Sequence, residues 1–226
     1  MTRFLRRPLS LAIILLVATI IPIASAPLRM FQILTDQLPA DAIKFTTVPW
    51  TLFFHALGGM AFGLAGPLQF AGALKLRFGR LHKIMGRIFV IAGLFLALSA
   101  LRLLFELPHN STWVLISART IAALGMLLTI TLALSAVWDR NFAKHRAWMI
   151  RTYALGMGPA AISFIMLPIF LIRGQALEGY FADSLFVLSW VINLTLAEII
   201  IRHIELRTVN HSRQNASASH FPTRRA

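Results

Sequence analysis

The chain has 226 residues, of which 58% are hydrophobic and 13% charged, whereas about a quarter of an average soluble domain is charged. So much apolar surface exceeds what a soluble core of this length absorbs. The formal charge of +14 does not point to nucleic acid, because the basic residues fall in short clusters between long apolar runs instead of forming a stripe on a folded surface. The absence of cysteine excludes disulfides, thiolate metal sites, iron–sulfur clusters and covalent haem attachment, leaving His, carboxylates and Met as metal ligands.

A helix that crosses about 30 Å of hydrocarbon needs roughly 17 to 25 mostly apolar residues, with every backbone group bonded inside the helix. Six stretches qualify: 9–26, 48–73, 84–105, 113–138, 153–172 and 181–201. The fold expected is therefore all-α, a polytopic bundle of six transmembrane helices over residues 1–206. A polar tail without apolar periodicity follows over 207–226 and is expected to be disordered and cytoplasmic. Lys and Arg are retained on the cytoplasmic side of spans. Seventeen of the 22 fall in the N-terminus, the second and fourth loops and the C-terminus, while Asp36, Asp41, Glu106, Glu178 and Asp183 fall in the others. Both termini are thus expected inside, and the positive charge is explained by topology and by contact with anionic lipid.

In chain order, the first span follows Arg3, Arg6 and Arg7 and ends in Ala24-Ser25-Ala26, a small-x-small pattern that also suits a cleaved signal peptide. Pro27 directly after it disfavours cleavage, as does the length of the apolar run, and an uncleaved helix is the reading adopted. The second span carries His55, about six residues or roughly 9 Å inside its outer end. It also carries Gly58, Gly59, Gly63 and Gly66-Pro67, small residues that allow close helix approach and a proline that interrupts the backbone ladder, with Gln69 just beyond. His82 opens the third span and is followed by Met85 and Arg87. At the outer end of that span Arg102 precedes Glu106 by four residues, a spacing that pairs them on one helix face. Arg119 lies about as deep in the fourth span as His55 does in the second. Ionisable groups at such depth are expensive and mark either a site or helix-to-helix bonding.

His145 opens the fifth span much as His82 opens the third, with Trp148, Met149 and Arg151 after it, while Gly156, Gly158, Pro159 and Pro168 indicate an irregular helix. The last span holds Asn193 and, about one turn inside its inner end, Glu198. That carboxylate must pair with a cation, ligate a metal or stay protonated.

The segments His55 with Gly58-Gly59, Gly66-Pro67-Leu68-Gln69-Phe70, Arg80-Leu81-His82-Lys83-Ile84-Met85-Gly86-Arg87, His145-Arg146-Ala147-Trp148-Met149-Ile150-Arg151, and Trp190, Asn193 and Glu198 occur in that order between about residues 48 and 203. Together they resemble the prokaryotic membrane-protein family catalogued as domain of unknown function 2306, with Lys83 standing where the family pattern prefers Arg. The resemblance implies a multi-helix protein of the bacterial inner membrane with no assigned activity.

Three functional readings follow. In the first, His82 and His145 ligate haem b or a metal, neutral imidazoles at one depth being suited to both, with Gln69 and Glu198 beside them and Arg87 or Arg151 binding propionates. In the second, a transporter or channel-like protein uses Glu198 and the paired arginines between irregular second and fifth spans; with so few spans it would act as a homodimer. In the third, the same residues and the outer cluster of His55, Arg102, Glu106 and Arg119 only join helices or meet membrane lipid. No hydrolase nucleophile motif, His-Glu-x-x-His or phosphate-binding glycine loop occurs.

Overall fold

Runs this apolar leave backbone N–H and C=O groups no partners outside their own segment, and the structure is helical accordingly. The computed structural model describes residue 13 and residues 15–70, 78–107, 112–175 and 177–219, with the side chains of Asp41 and of residues 209–219 outside that description. Its elements are α1 (Ile20–Leu34), a 3-10 helix (Ala40–Thr47), α2 (Pro49–Phe70), α3 (Gly79–Glu106), α4 (Trp113–Trp138), α5 (Phe142–Gly156), α6 (Gly158–Arg173) and α7 (Gly179–Ser219). Among the described residues no strand occurs.

Five stretches are long and apolar enough to cross a membrane: α2, α3, α4, the α5–α6 stretch and α7 as far as Thr208. The first expected span lies partly outside the described residues. From residue 15 the chain is helical, turns at Thr19 and continues as α1 well past Ala26; at 15 residues α1 falls short of a full crossing by itself. The helical stretch that carries the fifth expected span begins at Phe142, ahead of Tyr153, and is broken at Met157. The irregularity expected from Gly156, Gly158 and Pro159 is thus present as two helices. The last helix keeps helical backbone through Ser219, past Arg207 where the sequence turns polar.

Consecutive helices pack in turn, α1 on α2, α2 on α3, α3 on α4 and α4 on α5; α7 then covers α4, α5 and α6, and α1 reaches α6. Lipid tails are as apolar as the side chains, so close packing and interhelical hydrogen bonds replace the hydrophobic drive of a soluble core. Large apolar side chains such as Ile91, Leu98, Ile121, Leu128 and Ile199 accordingly remain on the outside. At the centre, Phe62 stacks on Phe89 at 4.2 Å and on Tyr153 at 5.8 Å. These rings fit because glycines face them. A methyl group on Gly66 would overlap the Tyr153 ring, and one on Gly156 would press into Phe62. Gly58 serves backbone approach instead, lying against the Ala92 carbonyl and the Leu96 N–H of α3, each 3.2 Å from where its Cβ would be. Thr152 donates to Thr129 at 2.9 Å, tying α5 to α4.

Candidate functional site: a basic cavity beside a broken helix

The break at Met157 has a chemical origin. Pro159 has no N–H, so the Leu155 carbonyl loses the donor that a continuous helix would supply four residues on. The Trp190 indole of α7 replaces it, donating from Nε1 to the Leu155 carbonyl at 2.9 Å. Gly158 leaves room for that indole, since a methyl group there would overlap the ring. The junction forms one wall of a partly open cavity of about 630 Å3, enclosed further by α1, α2, α3, α4 and α7. This is within the range of small-molecule sites, roughly 300–1,000 Å3.

The walls are mostly apolar, with Leu52, Leu96, Ala97, Ala122, Met126 and Met157 among them, but four basic side chains reach the same space: Arg29 of α1, Lys44 of the 3-10 helix, His55 of α2 and Arg119 of α4. Among the described residues no carboxylate lines the cavity. Arg29 Nη1 is buried without a hydrogen-bond partner among the described residues. The Arg119 guanidinium stands over the Phe186 ring at 5.9 Å and feels the charge of the buried Asp183. That carboxylate accepts the Thr112 backbone N–H at 2.6 Å, at the N-cap of α4, where an anion complements the helix terminus.

His55 is fixed by Ser99. Its Nδ1 lies 3.0 Å from Ser99 Oγ, and the Ser99 hydroxyl is within reach of two carbonyls, Phe95 O at 2.6 Å and Leu96 O at 3.1 Å. At 2.6 Å the contact to Phe95 O has the length of an O–H···O bond, which places the single hydroxyl proton there and leaves Ser99 Oγ to accept from the imidazole. His55 is therefore the Nδ1–H donor in this pair. Arg102 and Glu106, expected in the same outer cluster, pair with each other at 2.7 Å as their spacing implies, and Glu106 also accepts from Thr51 at 3.5 Å. Neither lines the cavity, and Arg102 is exposed.

The residues expected to form an inner site divide into three separate contacts. Glu198 accepts from Arg151 through both oxygens, Nε to Oε1 at 2.6 Å and Nη2 to Oε2 at 2.9 Å, and the same guanidinium lies 4.6 Å from the Trp148 ring centre. The pairing alternative is the one realised. Gln69 donates from Nε2 to the His82 backbone carbonyl at 2.9 Å, across the bare backbone of Gly86, and thereby links α2 to α3. His145 donates from Nδ1 to the Ala133 carbonyl of α4 at 2.9 Å, which leaves Nε2 as its other nitrogen. Arg87 is exposed. Among the described residues no group of three or more His, Cys, Asp or Glu side chains is placed to hold a metal ion.

Sequence reasoning gave Asp183 a part only in topology, did not place Arg29, Lys44 or Ser99 in a site, and missed the task of Trp190. The one local signal was the pairing of Gly158 with Pro159, which announces an orphaned carbonyl and hence a donor from elsewhere. No curated protein and no solved structure matches the chain. A family model does match, over residues 52–201, from α2 to the middle of α7. The helices it spans carry His55, Gln69, His82, Arg119, His145, Arg151 and Glu198, and the chain belongs to this family, described as predicted membrane protein (DUF2306).

Proposed function

We propose that this protein crosses the bacterial inner membrane six times, with both termini in the cytoplasm, and receives an anionic amphiphile in the cavity of its outer half. The carrying observation is the set of four basic side chains converging, without a lining carboxylate among the described residues, on a mostly apolar space of about 630 Å3. The partly buried Arg29 and Arg119, with an unmet donor at the buried Arg29 Nη1, favour an anionic group, and the apolar walls favour a hydrocarbon body. This is the carrier reading moved from the inner cluster to the outer one. The inner residues act as helix ties.

The six-span arrangement is supported by α1, whose Ile23 lies against Gly63 of α2 and whose preceding Thr19 is buried, so the first helix packs as part of the bundle. Because the chain lacks cysteine, topology is directly testable. Glu178→Cys is expected to react with a membrane-impermeant maleimide in intact spheroplasts, and Asp139→Cys only after permeabilisation. The opposite pattern overturns the orientation.

Binding is tested on the purified full chain by equilibrium titration. Dodecyl phosphate is expected to bind, and dodecanol to bind at least tenfold more weakly. Arg29→Gln and Arg119→Gln should each weaken the anion about tenfold, as expected when a charged hydrogen bond worth about 1.5 kcal/mol is lost. Equal affinity for the alcohol and the anion would sink this function.

A further inference from the structure

The cavity offers its occupant donor-only cations at Arg29, Lys44 and Arg119, groups that can either donate or accept at Ser25, Gln32 and Ser163, and one imidazole at His55. The imidazole identifies the headgroup. His55 uses Nδ1 as donor to Ser99 Oγ, an acceptor because its own proton is committed to the Phe95 carbonyl. The bond turns the Nδ1 edge of the ring toward α3, while the ring itself lines the cavity. In a neutral imidazole with the proton on Nδ1, Nε2 carries a lone pair and accepts. An occupant that satisfies the whole site must therefore accept from guanidinium groups and, close by, donate one hydrogen bond to an imidazole.

Ordinary anionic headgroups differ on this point. A carboxylate and a phosphodiester present only acceptors at neutral pH. A phosphomonoester, whose second proton titrates near pH 6, exists partly as a monoanion with charged acceptor oxygens and one P–OH donor on the same phosphorus. Resting on the anion-binding reading above, we propose that the cavity is a site for the monoester phosphate of a long-chain alcohol, its P–OH donating to His55 Nε2, its charged oxygens accepting from Arg29 and Arg119, and its chain lying along Leu52, Leu96 and Met126. Ser99 is a positioning residue: it fixes which imidazole nitrogen faces the ligand. Ser25, Gln32 and Ser163, which also line the space, can each donate or accept, and so do not discriminate between these headgroups.

The experiment compares three probes of one chain length on the purified full chain at pH 6.5: dodecyl phosphate, its methyl diester, and dodecanoate. The monoester is expected to bind about tenfold tighter than the diester or the carboxylate, the worth of one hydrogen bond to a charged group. His55→Ala should remove that preference by weakening the monoester to the level of the diester, with diester affinity unchanged within about twofold. Ser99→Ala, which frees the ring to turn or change tautomer, should reduce the preference while leaving the diester bound; His55→Asn serves if the alanine variant does not fold. Arg119→Gln should weaken all three probes alike.

Equal binding of monoester and diester, or a preference that survives both His55 variants, overturns the headgroup assignment and leaves the anion site standing. Binding of none of the anions above the level of dodecanol overturns both.

Discussion

Gly158→Ala is expected to lower the stability of the folded bundle by about 3 kcal/mol, at the upper end of what overpacking costs in a close-packed interior. The added methyl group would overlap the Trp190 ring, and that ring is not free to retreat, because its N–H is the donor to the Leu155 carbonyl. Moving the indole exchanges a steric clash for a buried carbonyl without a partner, itself a loss of about 1–3 kcal/mol. Gly66→Ala should behave similarly, since its methyl group would meet the ring of the buried Tyr153. Gly125→Ala provides the contrast. There the nearest atom is Leu155 Cδ1 at 3.4 Å, ordinary contact with a flexible side chain, and the gain in helix propensity offsets any adjustment. Thermal unfolding of the detergent-solubilised variants, followed by circular dichroism, decides the matter: a Gly158→Ala midpoint equal to that of Gly125→Ala would falsify this account of the break.

The second large effect is expected at the Arg151–Glu198 pair, which joins α5 to α7. Both nitrogen–oxygen contacts are short and parallel, at 2.6 and 2.9 Å, and the side chains retain 26% and 41% of their exposure. That places the pair between a solvated surface bridge, worth less than about 1 kcal/mol, and a buried one, whose disruption costs about 3–5 kcal/mol. Glu198→Gln should therefore cost about 2 kcal/mol, leaving the guanidinium beside Trp148 without its counter-charge. Arg151→Met should cost about as much by leaving the carboxylate. In the double variant the two losses should not add, because no uncompensated charge remains. Strict additivity in chemical unfolding would show that the two residues act independently. Neither variant is expected to alter binding of the dodecyl phosphate probe, since neither residue lines the cavity.

Helix positions were readable wherever an apolar run was uninterrupted. The fourth, expected over 113–138, coincides with Trp113–Trp138. The fifth expected span starts inside its helical stretch, because Lys144, His145, Arg146 and Arg151 dilute the first three turns of α5, although much of that helix packs against α4 and α7. Hydropathy registers lipid-like composition, and α5 is instead held by polar ties such as Thr152 to Thr129 and His145 to Ala133. The Arg102–Glu106 pair could be read from its spacing because both residues sit on one helix. The cavity could not, since Arg29, Lys44, His55 and Arg119 come from four elements whose packing order the sequence does not disclose. His82 and His145 illustrate the converse. Matching local motifs suggested one shared site, yet Gln69 binds the backbone of the first and Ala133 the side chain of the second, each serving a different helix pair.

Trp190 differs from three of the other tryptophans of this chain in a way that extends beyond packing. Trp50, Trp113 and Trp138 are 60%, 70% and 85% exposed, whereas Trp190 is 8% exposed, hydrogen-bonded through its indole nitrogen and set in the cavity wall. A brominated lipid in the surrounding bilayer reaches the first three chromophores and is screened from the fourth. The emission that survives such quenching is therefore enriched in light from Trp190, and the broken helix carries its own optical probe of whatever enters beside it.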